Sequence, residues 1–222
     1  MDKFLRKIST LLVYLFLICN SILVLGPVIW TIMASFKKGN NLFSSTFSGI
    51  EFTFDHYITL FTDTPYMQWY LNTFILATAN MLISLFVVTM TAYVFSRYRF
   101  RGKRNTLMSI LVLQMFPAFL SMTAIYILLS KANLIDTYTG LLLVYVTGSL
   151  PFMTWLVKGY FDAIPTSLDE AAKIDGAGHL TIFIQIILPL AKPILVFVGL
   201  VSFTGPWMDF ILPTLVLRSE DK

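Results

Sequence analysis

Residues 66–96 read YMQWYLNTFILATANMLISLFVVTMTAYVFS, 31 residues without an Asp, Glu, Lys or Arg. A helix of about 20 apolar residues crosses a bilayer core, because it bonds all of its own backbone groups. The stretch predicts a transmembrane span, and working outward the same absence of charge recurs. Residues 10–36, 106–130 and 137–157 share it. So does a shorter run at 193–208, which extends back to about 186 when Pro189, Lys192 and Pro193 are placed at an interfacial bend. Five spans are thus predicted, at 10–36, 66–96, 106–130, 137–157 and 186–208, in an all-α, polytopic helix bundle. Composition agrees. Charged residues make up 13% of the chain, against ~25% in soluble domains, which leaves too little polar surface to cover a globule in water.

Several function classes fall away at once. The single cysteine, Cys19, rules out a disulfide framework, and His56 and His179 lie too far apart for a His-rich metal cluster. Cys19 reads as a small apolar filler of the first span. No G-x-x-x-x-G-K-[ST] loop is present, so the chain is not expected to bind ATP itself. The spans carry essentially no ionisable residue, the usual mark of a proton relay or ion site. Lys3, Arg6 and Lys7 precede the first apolar run, which is about twice the length of a signal h-region of ~7–15 residues; an uncleaved span is expected.

Orientation follows the cations. Arg97, Arg99, Arg101, Lys103 and Arg104 crowd the loop between spans two and three, on the same side as Lys3, Arg6 and Lys7. The N-terminus and the loops 97–105 and 158–185 are therefore expected in the cytoplasm, and 37–65 and 131–136 outside. Five spans leave the C-terminus outside. Its last residues, Arg218, Glu220, Asp221 and Lys222, read as an outer loop, so a sixth span is expected to be missing.

Uncharged polar residues within the spans mark a candidate pathway for a neutral, hydroxyl-rich solute: Asn80, Gln114, Ser121 and Thr147. The competing reading of each is a helix–helix hydrogen bond, worth ~0.6 kcal/mol. Pro117 removes a backbone donor from span three and is expected to kink it.

The loop 158–185 is the most structured connector. Ser167 and Glu170 have capping-box spacing, which predicts a helix from Leu168 with Asp169 and Glu170 in its favourable first turn. Asp169 and Lys173 are spaced for an i, i+4 pair. Gly176 suits a left-handed stop, and Gly178 opens a second helix running into Phe183 and Ile187. The first helix has about eight residues, fewer than the ~12–15 that stand alone, so it must pack against something. Leu168, Ala171, Ala172 and Asp175 share one face, suited to insertion into a partner's cleft.

Glu170-Ala171-Ala172, Asp175-Gly176-Ala177, Phe183, Ile187-Leu188-Pro189 and Pro193 resemble the EAA loop of ABC-transporter permease subunits. Phe54-Asp55-His56-Tyr57, Asn72, Ala92-Tyr93, Pro151-Phe152 and Ile164-Pro165 are similar to the carbohydrate branch, the maltose/maltodextrin MalG-like group. The resemblance covers nearly the whole chain as one permease domain of the type I importer fold. It implies a half-channel in a bacterial cell membrane working with a sister permease, two ATPase subunits that hold ATP and Mg, and an external solute-binding protein. The coupling contact would be made by Glu170, Ala171, Ala172, Asp175, Gly176 and Ala177. The chain itself would then be no enzyme, and its cargo a sugar of maltodextrin type. Open alternatives are a permease for another neutral solute, such as a different sugar or a glycerol-phosphate-type compound, and a stand-alone channel.

Overall fold

The computed structural model describes residues 2–39 and 51–219. Among these residues the only β feature is a bridge between Lys37 and Phe52. The helices are α1 (Asp2–Ser35), α2 (Asp55–Thr62), α3 (Tyr66–Arg97), α4 (Lys103–Gln114), α5 (Ala118–Lys131) and α6 (Tyr138–Ala163). They continue with α7 (Thr166–Ile174), α8 (His179–Ile182), a π-helical turn (Phe183–Ile187), α9 (Leu188–Leu190), α10 (Lys192–Met208) and α11 (Ile211–Val216). Three helices are long and apolar enough to cross a membrane, and there are up to five spans if α4 with α5, and α8–α9 with α10, each count as one. The chain divides into two compact units, Met1–Met67 and Gln68–Lys222.

In the first unit, α1 carries Pro27 inside it and exposes Cys19 rather than burying it. Beyond the end of α1 the chain is closed by short contacts. Lys38 N–H donates to Glu51 O at 3.0 Å and Thr53 N–H to Phe36 O at 2.9 Å. Phe36 packs against Phe54 and Tyr57, with ring centroids 5.5 and 5.3 Å away. His56 Nε2 lies 2.8 Å from Lys37 O, a local polar contact. Lys38 Nζ bonds Glu51 Oε2 at 2.7 Å, and this bond and the lysine charge hold the Glu51 carboxyl below its ordinary range.

In the second unit, α3 runs 32 residues without a Gly or Pro, whereas α6 and α10 contain Pro151 and Pro206. Helices surrounded by lipid gain no hydrophobic drive toward one another, so packing and a few polar bonds join them. One such bond links Asn80 Nδ2 to Ser202 O at 2.6 Å, tying α3 to α10. Two apolar clusters flank it. One joins Val88 and Tyr93 of α3 to Met153, Val157 and Phe161 of α6 and to Ile182, Phe183, Ile187 and Val198. The other joins Leu76, Leu129, Leu141, Leu212 and Val216.

The run 106–130 is broken rather than gently kinked: α4 ends at Gln114, α5 begins after Pro117, and the two are bent by 105°. Likewise α8–α9 and α10 meet at an 81° bend beside Ala191, where Pro189 and Pro193 interrupt backbone bonding. At the end away from α7, Asp136 adopts a left-handed φ of 59° and gathers the chain terminus. Its Oδ1 accepts from Arg218 N–H at 3.0 Å and Ser219 N–H at 3.1 Å, and its Oδ2 from the Ser219 hydroxyl. The turn before α6 and the segment after α11 therefore lie at the same end. Glu220, Asp221 and Lys222, assigned above to an outer loop, fall outside the described residues.

Candidate functional site

The connector expected over 158–185 starts later than its sequence suggested. Helix α6 continues through Lys158 to Ala163, because Lys158 Nζ pairs with Asp162 Oδ2 at 2.5 Å, and Ser96 Oγ of α3 donates to Asp162 Oδ1 at 2.7 Å. Helix α6 ends where Pro165 forces Ile164 into an extended conformation, with φ −78° and ψ 123°.

Helix α7 then begins at Thr166, not Leu168, and Pro165 occupies its N-cap with no side-chain capping bond. The Ser167–Glu170 capping box is not formed, since a proline with φ −58° already presets the first turn. Asp169 corrects a second expectation. Instead of pairing with Lys173 along the helix, its Oδ2 lies 2.7 Å from Arg97 Nε, with the two side chains 9% and 8% exposed. Arg97 Nη2 also donates to Ile164 O at 3.0 Å. Arg97, counted above among the five loop cations that set orientation, is turned inward, where a buried carboxylate and the Ile164 carbonyl await it.

The end of α7 is a Schellman stop. Gly176 has φ 84°, its N–H donates to Lys173 O at 3.0 Å, and Ala177 N–H donates to Ala172 O at 2.9 Å. Gly178 caps α8 in extended conformation. Helix α8 is held by α3 as well: Tyr93 OH donates to His179 O at 3.3 Å, and the Tyr93 and Phe183 rings lie 4.8 Å apart. The Tyr98 and His179 rings are 5.3 Å apart. The last turn of α3 thus grips both short helices.

The opposite surface of α7 is open. Ala172 and Ala177 pack against the apolar cluster, while Glu170, Ala171, Asp175 and Gly176 are exposed. Ile174 is 87% exposed, and Leu168 of α7 and Leu180 of α8 are 41% and 64% exposed. The predicted contact set is therefore split, with Ala172 and Ala177 turned toward the bundle. Exposed Ile174 thus lies beside the Asp175 carboxylate and one helical turn after Glu170 on the outer surface of α7.

The four pathway candidates are not equivalent. Asn80 is buried, and its amide is used between helices, with Ser84 Oγ donating to Asn80 Oδ1 at 3.3 Å. Thr147 is exposed and its hydroxyl bonds Leu143 O of its own helix at 2.7 Å. Gln114 is exposed at the end of α4, and Ser121 is half-buried on α5. Sequence reasoning missed the Arg97–Asp169 pair. The signal was available in an arginine placed at the end of an apolar span and an acid on a helix too short to stand alone.

Residues 89–221 match the family described as binding-protein-dependent transport system inner membrane component, and this range holds α7, α8 and Arg97. The chain is similar to the maltodextrin transport system permease protein MdxG of Bacillus subtilis (strain 168), with 41% identity covering 98% of this chain and 78% of that protein. It is similar to the galactooligosaccharides transport system permease protein GanQ of the same organism, with 43% identity over 97% of this chain and 77% of that protein. In three dimensions it resembles a chain of a bacterial ABC transporter involved in the import of the acidic polysaccharide alginate, at a TM-score of 0.86 and 26% identity, covering 97% of this chain and 76% of that one. The chain belongs to the family of inner-membrane components of binding-protein-dependent transport systems.

Proposed function

We propose that this chain is the permease subunit of an ATP-driven importer for a neutral oligosaccharide of maltodextrin type. It would work beside a sister permease, with two ATPase subunits binding ATP and Mg, and a solute-binding protein on the far side. The observation that carries this reading is α7: a nine-residue helix with one face fixed to α3 through Asp169 and the other exposing Glu170, Ala171 and Ile174. A chain with no phosphate-binding loop must take its energy from a neighbour, and this is the part shaped to receive it. Closure of the ATPases pulls on α7 and α8, Gly176 sets the angle between them, and α3 and α6 carry the displacement to the spans. Asp175 and Glu170 supply charge at the contact. The N-terminus and the α7–α8 connector lie on the cytoplasmic side, in keeping with the cations around 97–104.

The cargo assignment is supported by the maltodextrin and galactooligosaccharide permeases among its relatives and by spans whose polar groups are uncharged. Proteoliposomes carrying this chain with its sister permease, ATPases and binding protein test it. ATP-dependent accumulation of a maltodextrin is expected. Flux through the chain alone, without the ATPases, would make it a channel instead.

A further inference from the structure

Beside the first turn of α4 lies a cavity of about 450 Å³ with a divided character. Phe100, Leu107, Met108 and Trp155 form its apolar walls, and Lys103, Arg104 and Lys158 bring cations to it. No carboxylate lines it. Lys158 is neutralised by Asp162, but Lys103 Nζ reaches only backbone oxygens, Ser96 O at 3.5 Å and Tyr98 O at 3.1 Å. Arg104 is exposed and forms no ion pair among the described residues. Helix α4 starts here behind Gly102, at φ 86°, with no side-chain cap, so its positive end adds to the same mouth. Trp155 Nε1 is already bonded to Leu107 O at 3.1 Å, which leaves the indole to act as an apolar wall with its polar atom satisfied.

The cavity lies between the start of α4 and Trp155, eight residues before the end of α6, beside the basic loop 97–105 that the charge pattern assigns to the membrane's inner face. Tryptophan and basic side chains gather at this depth, and basic pockets between helices take up anionic headgroups. A soluble anion would use the cations but leave the apolar surface of Met108 and the outer part of Phe100, whose ring already meets Phe95 at 5.5 Å, facing water. A molecule carrying a phosphate diester on a hydrocarbon tail uses both halves. We propose that this cavity is a binding site for an anionic glycerophospholipid. The phosphate lies at Lys103, Arg104 and the α4 N-terminus, and the upper acyl chain lies against Met108 and Trp155.

Native mass spectrometry of the complete transporter, exchanged into detergent with phosphatidylglycerol or phosphatidylcholine, tests this. Phosphatidylglycerol is expected to be retained preferentially, and Arg104→Gln to lower its retention about fivefold, the effect of one surface cation. Arg101→Gln removes a charge from the same loop outside the cavity and is expected to leave retention unchanged. Met108→Trp fills the cavity without altering charge and is expected to lower retention too, which keeps the test intact if Arg104→Gln assembles poorly. Equal retention of both lipids, or equal losses in the Arg101 and Arg104 variants, would overturn the site in favour of diffuse surface charge. Displacement of the lipid by millimolar inorganic phosphate, with Met108→Trp silent, would overturn it in favour of a soluble anion.

Discussion

Arg97 Nε and Asp169 Oδ2 meet at 2.7 Å with both side chains more than nine-tenths buried, so the end of a membrane span and a short surface helix share one ion pair. Breaking a buried pair by removing one partner leaves an uncompensated charge and costs about 3–5 kcal/mol. Arg97→Gln is therefore expected to release α7 while leaving membrane insertion intact. Hydrogen exchange across residues 166–182 should rise, and uptake per ATP hydrolysed should fall at least tenfold. Arg97→Asp combined with Asp169→Arg should recover part of the protection. Unchanged exchange in Arg97→Gln would show that other contacts hold α7.

Glu170 is exposed and is expected to act only at the contact with the ATPase. Glu170→Lys should insert and fold normally, while ATPase association weakens about tenfold, corresponding to a loss of ~1.4 kcal/mol at an interface charge. Titration of ATPase onto the reconstituted permease measures it, and equal affinity for variant and parent would remove Glu170 from that role.

Gly176 holds a φ of 84°, where a side chain costs roughly 1–2 kcal/mol. A Cβ there meets no atom, so any penalty of Gly176→Ala is conformational rather than steric. The variant should lower the thermal stability of the α7–α8 connector slightly and reduce uptake severalfold. Gly178→Ala, with φ −76° and open space around it, should do neither.

Asn80 joins α3 to α10 through Ser202 O. Asn80→Ala is expected to cost ~1 kcal/mol and to lower the melting temperature of the complex without changing which oligosaccharide is carried. A changed preference among oligosaccharides would instead place Asn80 on the pathway.

Much of this arrangement was readable from residue order, because hydrophobic run length is a local property. The three long apolar helices, the bend near Pro189 and Pro193, the left-handed stop at Gly176 and the second helix from Gly178 all follow from single residues or short runs. What escaped is non-local. Asp169 and Lys173 have favourable spacing, but burial of Asp169 against Arg97, 72 positions earlier, outweighs a surface pair worth a few tenths of a kcal/mol. The Ser167 capping box failed for a related reason, since Pro165 had already set the chain's entry. Neither the inward turn of Arg97 nor the amide bond of Asn80 can be read without knowing which helices are neighbours.

Helix α3 contains no residue that bends easily, and at 1.5 Å per residue its 32 residues make a strut about 48 Å long. Its neighbours α6 and α10 each carry an internal proline, Pro151 and Pro206, which removes a backbone hydrogen bond. Under the proposed coupling role, a displacement at Arg97 would therefore reach the far end of α3 along a helix with no break in its backbone bonding, a stiffer path than either proline-containing neighbour offers.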